Sequence, residues 1–293
     1  MNHIIKDFID NNEQLIDNND WNELYEKATT EIVEWDAIGQ FTYMMLAADI
    51  HPEDYMRKIP DYFLRSCDSI TDFNIPADVT HIGCAAFALC KQLAKITMPD
   101  GVFSINTAAF ANCSSLKSVT IPDSVTSVGN TAFYKCTSLT SVTIGNSVTS
   151  IGSGAFSGCS RLTDVTIPNS VTSIGDHAFD GCSSLTSVTI PDGVEIISNR
   201  AFYGCRGLET VILGNNVRAI KYEAFRGCIN LRSITIPSSV EYIEKYWVFS
   251  ECSDELTITY KGTKAQWKEL AKGKFSGVVY TCNCIDGILR KGR

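Results

Sequence analysis

Cysteine is the most reactive side chain that this sequence repeats. Cys67, Cys90, Cys113, Cys136, Cys159, Cys182, Cys205 and Cys228 stand 23 residues apart without exception, and Cys252 follows after 24. Three chemistries would use such a column: disulfide bonding, soft-metal ligation and nucleophilic catalysis. Disulfides between successive coils fit poorly, because coils stacked at about 4.8 Å hold side chains further apart than the roughly 3.8 Å that bridged Cβ atoms need. A column of nine is also odd in number. Zinc fits no better: Cys282 and Cys284 make a bare C-x-C, without a second pair or a nearby histidine. A nucleophilic cysteine needs a base, and the chain has only 4 histidines. His3 and His51 lie in the head, while His81 and His177 fall in different columns of distant turns, so none pairs with a column cysteine. What remains is packing: a small, weakly polar side chain that is buried and offers its S–H to the backbone at a corner.

Other motifs dissolve in the same way. "GSGAFSG" (residues 152–158) has the glycines of a phosphate loop but lacks the Gly-Lys-Ser/Thr ending, and Gly152 holds the same column as Gly129 and Gly175. Lys264, Lys268 and Lys272 recur every four residues, which is the solvated face of a helix beginning at Thr263. Asn112-Cys113-Ser114 is formally a glycosylation sequon produced by the cysteine column. The chain therefore reads as a non-enzyme with no cofactor and no metal.

The elements that position these side chains follow from the same period. Phe87, Phe110, Phe133, Phe156, Phe179, Phe202, Phe225 and Phe249 each stand three residues before a column cysteine. After the cysteine come apolar columns at +3, +6, +8, +12 and +15. In "LTSVTI", Val142 and Ile144 alternate with Ser141 and Thr143, which predicts a strand with one buried face. "PDSVTS" predicts a turn and a second extended piece, and "GxxAFxGC" a compact helical or 3₁₀ corner. A coil of 23 residues cannot bury this many apolar side chains alone, so the coils must stack into a solenoid.

Composition is that of an ordinary globular chain, 44% hydrophobic and 20% charged. The charge is uneven. Residues 1–60 carry 13 Asp/Glu against 4 Lys/Arg, whereas residues 255–293 carry 3 against 8. The acidic head has helical rhythm, with Trp21, Leu24, Tyr25 and Ala28 on one face and Ile38, Phe41 and Met45 on another. It reads as a helical cap over the solenoid's open end, whose sheet edge and apolar layer need cover. No stretch is apolar enough to cross a membrane, and the N-terminus lacks the basic and apolar regions of a secretory signal. Both points predict a cytoplasmic protein.

The pattern L-x-x-V-T-I-P-x-x-V-T-x-I-G-x-x-A-F-x-x-C over residues 60–254 resembles the BspA-like, or treponema-type, leucine-rich repeat. "YKGTKAQW…CIDG" (residues 260–287) is similar to the C-terminal cap of bacterial members. "GQFTYMMLAADIHPEDYMRKIPDYF" (residues 39–63) resembles the leader of repeat proteins in phage and prophage genomes. The resemblance implies a curved right-handed leucine-rich repeat solenoid used for binding, which in secreted members is an adhesin. The organisation is then an acidic helical N-terminal cap (1–59), a β-dominated solenoid (60–254) and a small basic C-terminal cap (255–293).

Outward columns are free to vary, and they do so unevenly. From residue 113 to 190 they are mostly Ser and Thr. From about 198 onward Arg200, Tyr203, Arg206, Arg218, Tyr222, Arg226, Tyr242 and Tyr246 replace them. Arg and Tyr are interface residues, so these are the candidate partner-binding positions, spread over several columns. Two functions stay open. One is a non-catalytic scaffold that binds another protein inside the cell, host-associated or phage-encoded; a sharper version is an anti-CRISPR-like inhibitor that occludes a host defence nuclease, with the acidic head mimicking nucleic acid. The other is a structural, virion-associated or adhesin-like module. Direct nucleic-acid binding is disfavoured by the acidic balance of the chain.

Overall fold

The computed structural model describes residues 58–59, 61–275 and 278–291. The head, with His3, His51 and its helical rhythm, lies outside the described residues.

The repeat forms a stack of coils held by two parallel ladders. Strands of three residues, four in the last, make the first: Asp72–Asn74, Lys95–Thr97, Ser118–Thr120, Ser141–Thr143 and Asp164–Thr166, then, in a separate sheet, Ser187–Thr189, Thr210–Ile212 and Ser233–Ile236. The register is one whole repeat, so Val119 faces Val142 and Thr120 faces Thr143. Alternation buries the central Val and exposes the Ser and Thr beside it. Proline ends several of these strands, because it has no N–H for the ladder; the Pro122 carbonyl then accepts from Val125 N–H to close a turn. Two-residue strands make the second ladder, from Lys58–Ile59 to Ser173–Ile174 and again from Ile196–Ile197 to Tyr242–Ile243.

The corner departs from the helical or 3₁₀ expectation. Among the described residues up to 254 no helix forms; the corner is a run of tight turns in which two residues per coil are left-handed, such as Ala108 (φ 58°) with Asn112 (φ 62°) and Thr131 (φ 51°) with Lys135 (φ 54°). The physical reason lies in the N–H groups. Ala108, Phe110 and Asn112 donate to the carbonyls of Asn130, Ala132 and Tyr134 in the next coil, while Ala109, Ala111 and Cys113 donate within their own coil. A helix would direct every N–H along its own chain and leave the neighbouring coil unbonded. N–H groups that point by turns to the next coil and to their own make the corner a third inter-coil ladder.

The core runs the length of the stack. Phe87 to Phe249 stack ring on ring, with centroids 5.2 Å apart at Phe87–Phe110 and 5.8 Å at Phe225–Phe249. The spacing exceeds the ladder rise, so the rings are offset, the arrangement their quadrupoles favour. Beside them the column thiols are hydrogen-bonded and, but for the half-buried Cys252, buried. Cys136 Sγ–H donates to the Phe110 carbonyl at 3.2 Å, and the same geometry recurs from Cys90, on Leu64, to Cys252, on Phe225. Phe110 O already accepts from Cys113 N–H, so the thiol satisfies its second lone pair.

At the C-terminal end the ladder continues through Thr257–Tyr260 and Tyr280–Cys284, then closes with the antiparallel strand Gly287–Lys291. Helix α1 (Lys264–Leu270) starts at the expected Thr263, whose hydroxyl accepts from Gln266 N–H in a reciprocal capping box. It buries Trp267, which stacks on Phe275, and Phe275 in turn lies against Phe249 at the end of the phenylalanine stack. The final strand offers Arg290 and Lys291 at the edge, which discourages further pairing.

One seam interrupts both ladders. No strand pairing joins Asp164–Thr166 to Ser187–Thr189, or Ser173–Ile174 to Ile196–Ile197. The corner bonds continue through it, with Phe179 N–H donating to Ala201 O at 2.9 Å and Gly181 N–H to Tyr203 O at 2.8 Å. A groove of about 450 Å³ opens on the short-strand side between Thr172–Ile174 and Glu195–Ser198.

Candidate binding surface

The first left-handed position of each corner is a column of its own. It holds Tyr62 in the first corner, then Ala85, Ala108, Thr131 and Gly154, and later His177, Arg200, Glu223 and Trp247. Any side chain with a Cβ atom is costly at positive φ, by about 1–2 kcal/mol per residue, and in the last coils the side chains in this column make contacts that offset it.

Glu223 supplies them. Its side chain is fully buried, with Oε2 accepting from Arg200 Nε and Oε1 from Arg226 Nη1, both at 2.5 Å. Burial pushes this carboxyl up, but the hydrogen bonds from Arg226 and Arg200 outweigh it and hold the group below the usual carboxylate range. Arg226 reaches one coil further, to Glu251 Oε1 at 2.7 Å. Both guanidinium groups also lie over rings. Arg200 is 5.4 Å from the Tyr203 centroid and 5.7 Å from Tyr222; Arg226 is 6.0 Å from Tyr203 and 5.2 Å from Trp247. Five side chains thus alternate ring and cation across three coils, locked from beneath by one carboxylate. Trp247 is 50% exposed, and Tyr246, whose ring lies 6.4 Å away, is 54% exposed.

Such a platform sits on a repeat whose identity the comparisons settle. Residues 57–186 and 172–277 match the family described as BspA type Leucine rich repeat region, in 6 copies. The chain belongs to the BspA-type leucine-rich repeat family. Solved structures similar to it include a leucine rich cell surface protein from Faecalibacterium prausnitzii, at 26% identity over 75% of this chain and 82% of that one, TM-score 0.44. The leucine rich repeat protein of T. pallidum is 32% identical over 59% of this chain and 71% of that one, TM-score 0.44. No curated protein matches the chain. The family is one of repeat scaffolds, and membership rests on the repeat match.

Within this family member the eight candidate positions divide. Arg200, Tyr203, Tyr222 and Arg226 form the cluster, with Tyr246 at its margin. Arg218 and Tyr242 belong to the short-strand side instead. There Arg218 pairs with Glu241 at 3.1 Å, both exposed, and Tyr242 donates its hydroxyl to Glu244 at 2.8 Å beneath the ammonium groups of Lys221 and Lys274. Arg206 is exposed and stands outside both groups. Glu223, Trp247 and Glu251 were not among the expected residues. The signal for Trp247 was the single 24-residue step, since the extra residue falls between Ile243 and Phe249.

The other chemistry-bearing residues stay dispersed. His177 pairs with Asp180 at 2.7 Å, and His81 lies four coils away against Thr80. Burial pushes the thiols of Cys159 and Cys252 up to about 12, so they stay protonated at neutral pH. Gly154 and Gly158 of the loop-like segment are the left-handed corner residues of their coil. Among the described residues no group of three His, Cys, Asp or Glu is placed to hold a metal ion, and no helix is long and apolar enough to cross a membrane.

Proposed function

We propose that this leucine-rich repeat chain is a non-catalytic scaffold that binds another protein on the corner face of its C-terminal coils, from Arg200 to Glu251. The observation that carries the reading is an exposed Trp247–Tyr246 pair seated beside an ion-pair network with a fully buried carboxylate. Large aromatic rings held in place lose little entropy on docking, and Trp, Tyr and Arg are the residues that dominate interface energetics. The Ser/Thr strand face has no large apolar area, and Asp164 is its one charged side chain between residues 113 and 190.

The test is capture from lysate of the source cells, using full-length chain as bait, followed by titration of the captured protein. Replacing Tyr246 and Trp247 together by Ala should weaken affinity at least about tenfold, or about 1.4 kcal/mol. Replacing Thr143 and Thr166 by Ala should leave it unchanged. The reverse outcome would place the contact on the strand face. If both pairs are silent and charge reversal within residues 1–60 abolishes capture, the acidic head is the contact and the nucleic-acid-mimic reading replaces this one.

A further inference from the structure

Of the twelve cysteines, eight column thiols meet backbone, Cys67 lies against the Ser69 hydroxyl, and one pair in the terminal hairpin meets itself. Along the column each thiol from Cys90 onward donates to a carbonyl of the preceding coil. In the terminal hairpin, Cys282 Sγ lies 3.6 Å from Cys284 Sγ. Residues i and i+2 of a strand share one face, which brings the two thiols together on one side of Tyr280–Cys284. We propose that Cys282 and Cys284 are a reversible dithiol site, oxidised to an intrachain disulfide by small-molecule disulfides.

The geometry allows the bond and makes it strained. Two residues of an extended strand have Cα atoms about 6.6 Å apart, near the upper limit of about 6.8 Å for a bridged pair. Closing the sulfurs from 3.6 Å to bonding distance therefore needs local movement. Cys284 is the partner that can move: it is the last residue of its strand, half-exposed, and faces Gly287, which has no side chain. Cys282 is fully buried, paired on one side with Ile258 and on the other with Leu289. Strained disulfides are the readily reduced ones, so the site should cycle rather than lock.

The reaction balances with a disulfide such as oxidised glutathione. Cys284 thiolate attacks one sulfur and expels a glutathione thiolate, forming a mixed disulfide. Cys282 thiolate then attacks the Cys284 sulfur and expels the second glutathione. The two cysteine protons finish on two glutathione thiols, and the pair loses two electrons to the oxidant. Burial pushes the Cys282 thiol up, which makes the second step the slower one.

The test uses the full-length chain, fully reduced, then exposed to oxidised glutathione at mildly alkaline pH, quenched with acid, alkylated under denaturing conditions and peptide-mapped by mass. The expected product is one peptide holding both Cys282 and Cys284, lighter by two hydrogens and unalkylated, with the other cysteines alkylated. Dithiothreitol should restore both thiols. Cys282→Ser should convert the product into a persistent glutathione adduct on Cys284. A persistent adduct on Cys284 in the unaltered chain, absence of reaction there, or equal reaction at the column cysteines would each overturn the proposal. The wild-type map decides even if the variant fails to fold.

Discussion

The Ser/Thr coils between residues 113 and 190 and the decorated coils from 198 to 251 share one core and differ in how they tie coil to coil at the surface. In the middle, side chains bond to backbone: Thr140 donates to Lys117 O, Thr163 to Thr140 O, and Thr172 to Thr149 O. In the last coils, side chains bond to side chains, through Arg200, Glu223, Arg226 and Glu251. A hydroxyl that satisfies the carbonyl behind it has done its work within the stack and projects little. A carboxylate that gathers two arginines among three rings does the same tying, yet leaves an aromatic and cationic relief outside. The difference teaches that holding coils together and presenting a surface can be separate tasks or one task, and that the repeat permits both.

The comparison can be broken at four places. The largest effect should come from the shared core: Phe156→Ala removes a ring stacked on both sides and should cost about 3–5 kcal/mol in urea unfolding. If it costs under about 1, the phenylalanine stack is not what unites the two regions. Glu223→Gln should cost about 2 kcal/mol, less than a fully buried pair because both arginines reach solvent. Its pH dependence has a definite sign. The Glu223 carboxyl is held below its ordinary value of 4.5, so its contribution is complete above that pH and is lost as pH falls toward the folded value. The gap between wild type and Glu223→Gln should therefore be level near neutrality and narrow below about pH 4.5. A gap that widens on acidification would mean the carboxylate is unfavourably buried.

Thr163→Val tests the middle on its own terms. Losing the hydroxyl bond to Thr140 O should cost about 0.5–1 kcal/mol, and a neutral result would reduce the threonine ladder to decoration. The smallest effect should be favourable: Lys135 is left-handed where Gly158, Gly181, Gly204 and Gly227 hold the equivalent position, so Lys135→Gly should stabilise by about 0.5 kcal/mol, read as a shift in melting temperature.

Much of this fold was legible because a repeat writes its own register. Once Cys113 and Cys136 align, the pairing of Val119 with Val142 follows without further reasoning. The corner differs from the sequence expectation because "AFxGC" spacing suits a helical turn, and nothing in Ala108 or Thr131 announces positive φ; the glycines at 154, 158, 181, 204 and 227 hint at it. At the surface, the rise in Arg and Tyr was visible, but not its division between two sides, which depends on where each column points. Glu223 was hidden for another reason. An acidic residue in a variable column reads as solvated until Arg200 and Arg226 are seen to close over it.

The lapse of both ladders between Ser173–Ile174 and Ile196–Ile197 has a mechanical consequence. With strand pairing missing on two sides, the coils are tied there by the intact corner bonds and by isolated bonds, Thr186 N–H to Thr163 O at 3.4 Å on one side and Ser198 Oγ–H to Ile174 O at 2.6 Å on the other. Flexure concentrates at such a section, since local opening begins where the fewest bonds must break. The corner is the continuous tie at this section, and the groove lies beside Gly193 on the short-strand side. Two laddered stacks meet at this joint, and the rings of Phe179 and Phe202 keep the core continuous across it.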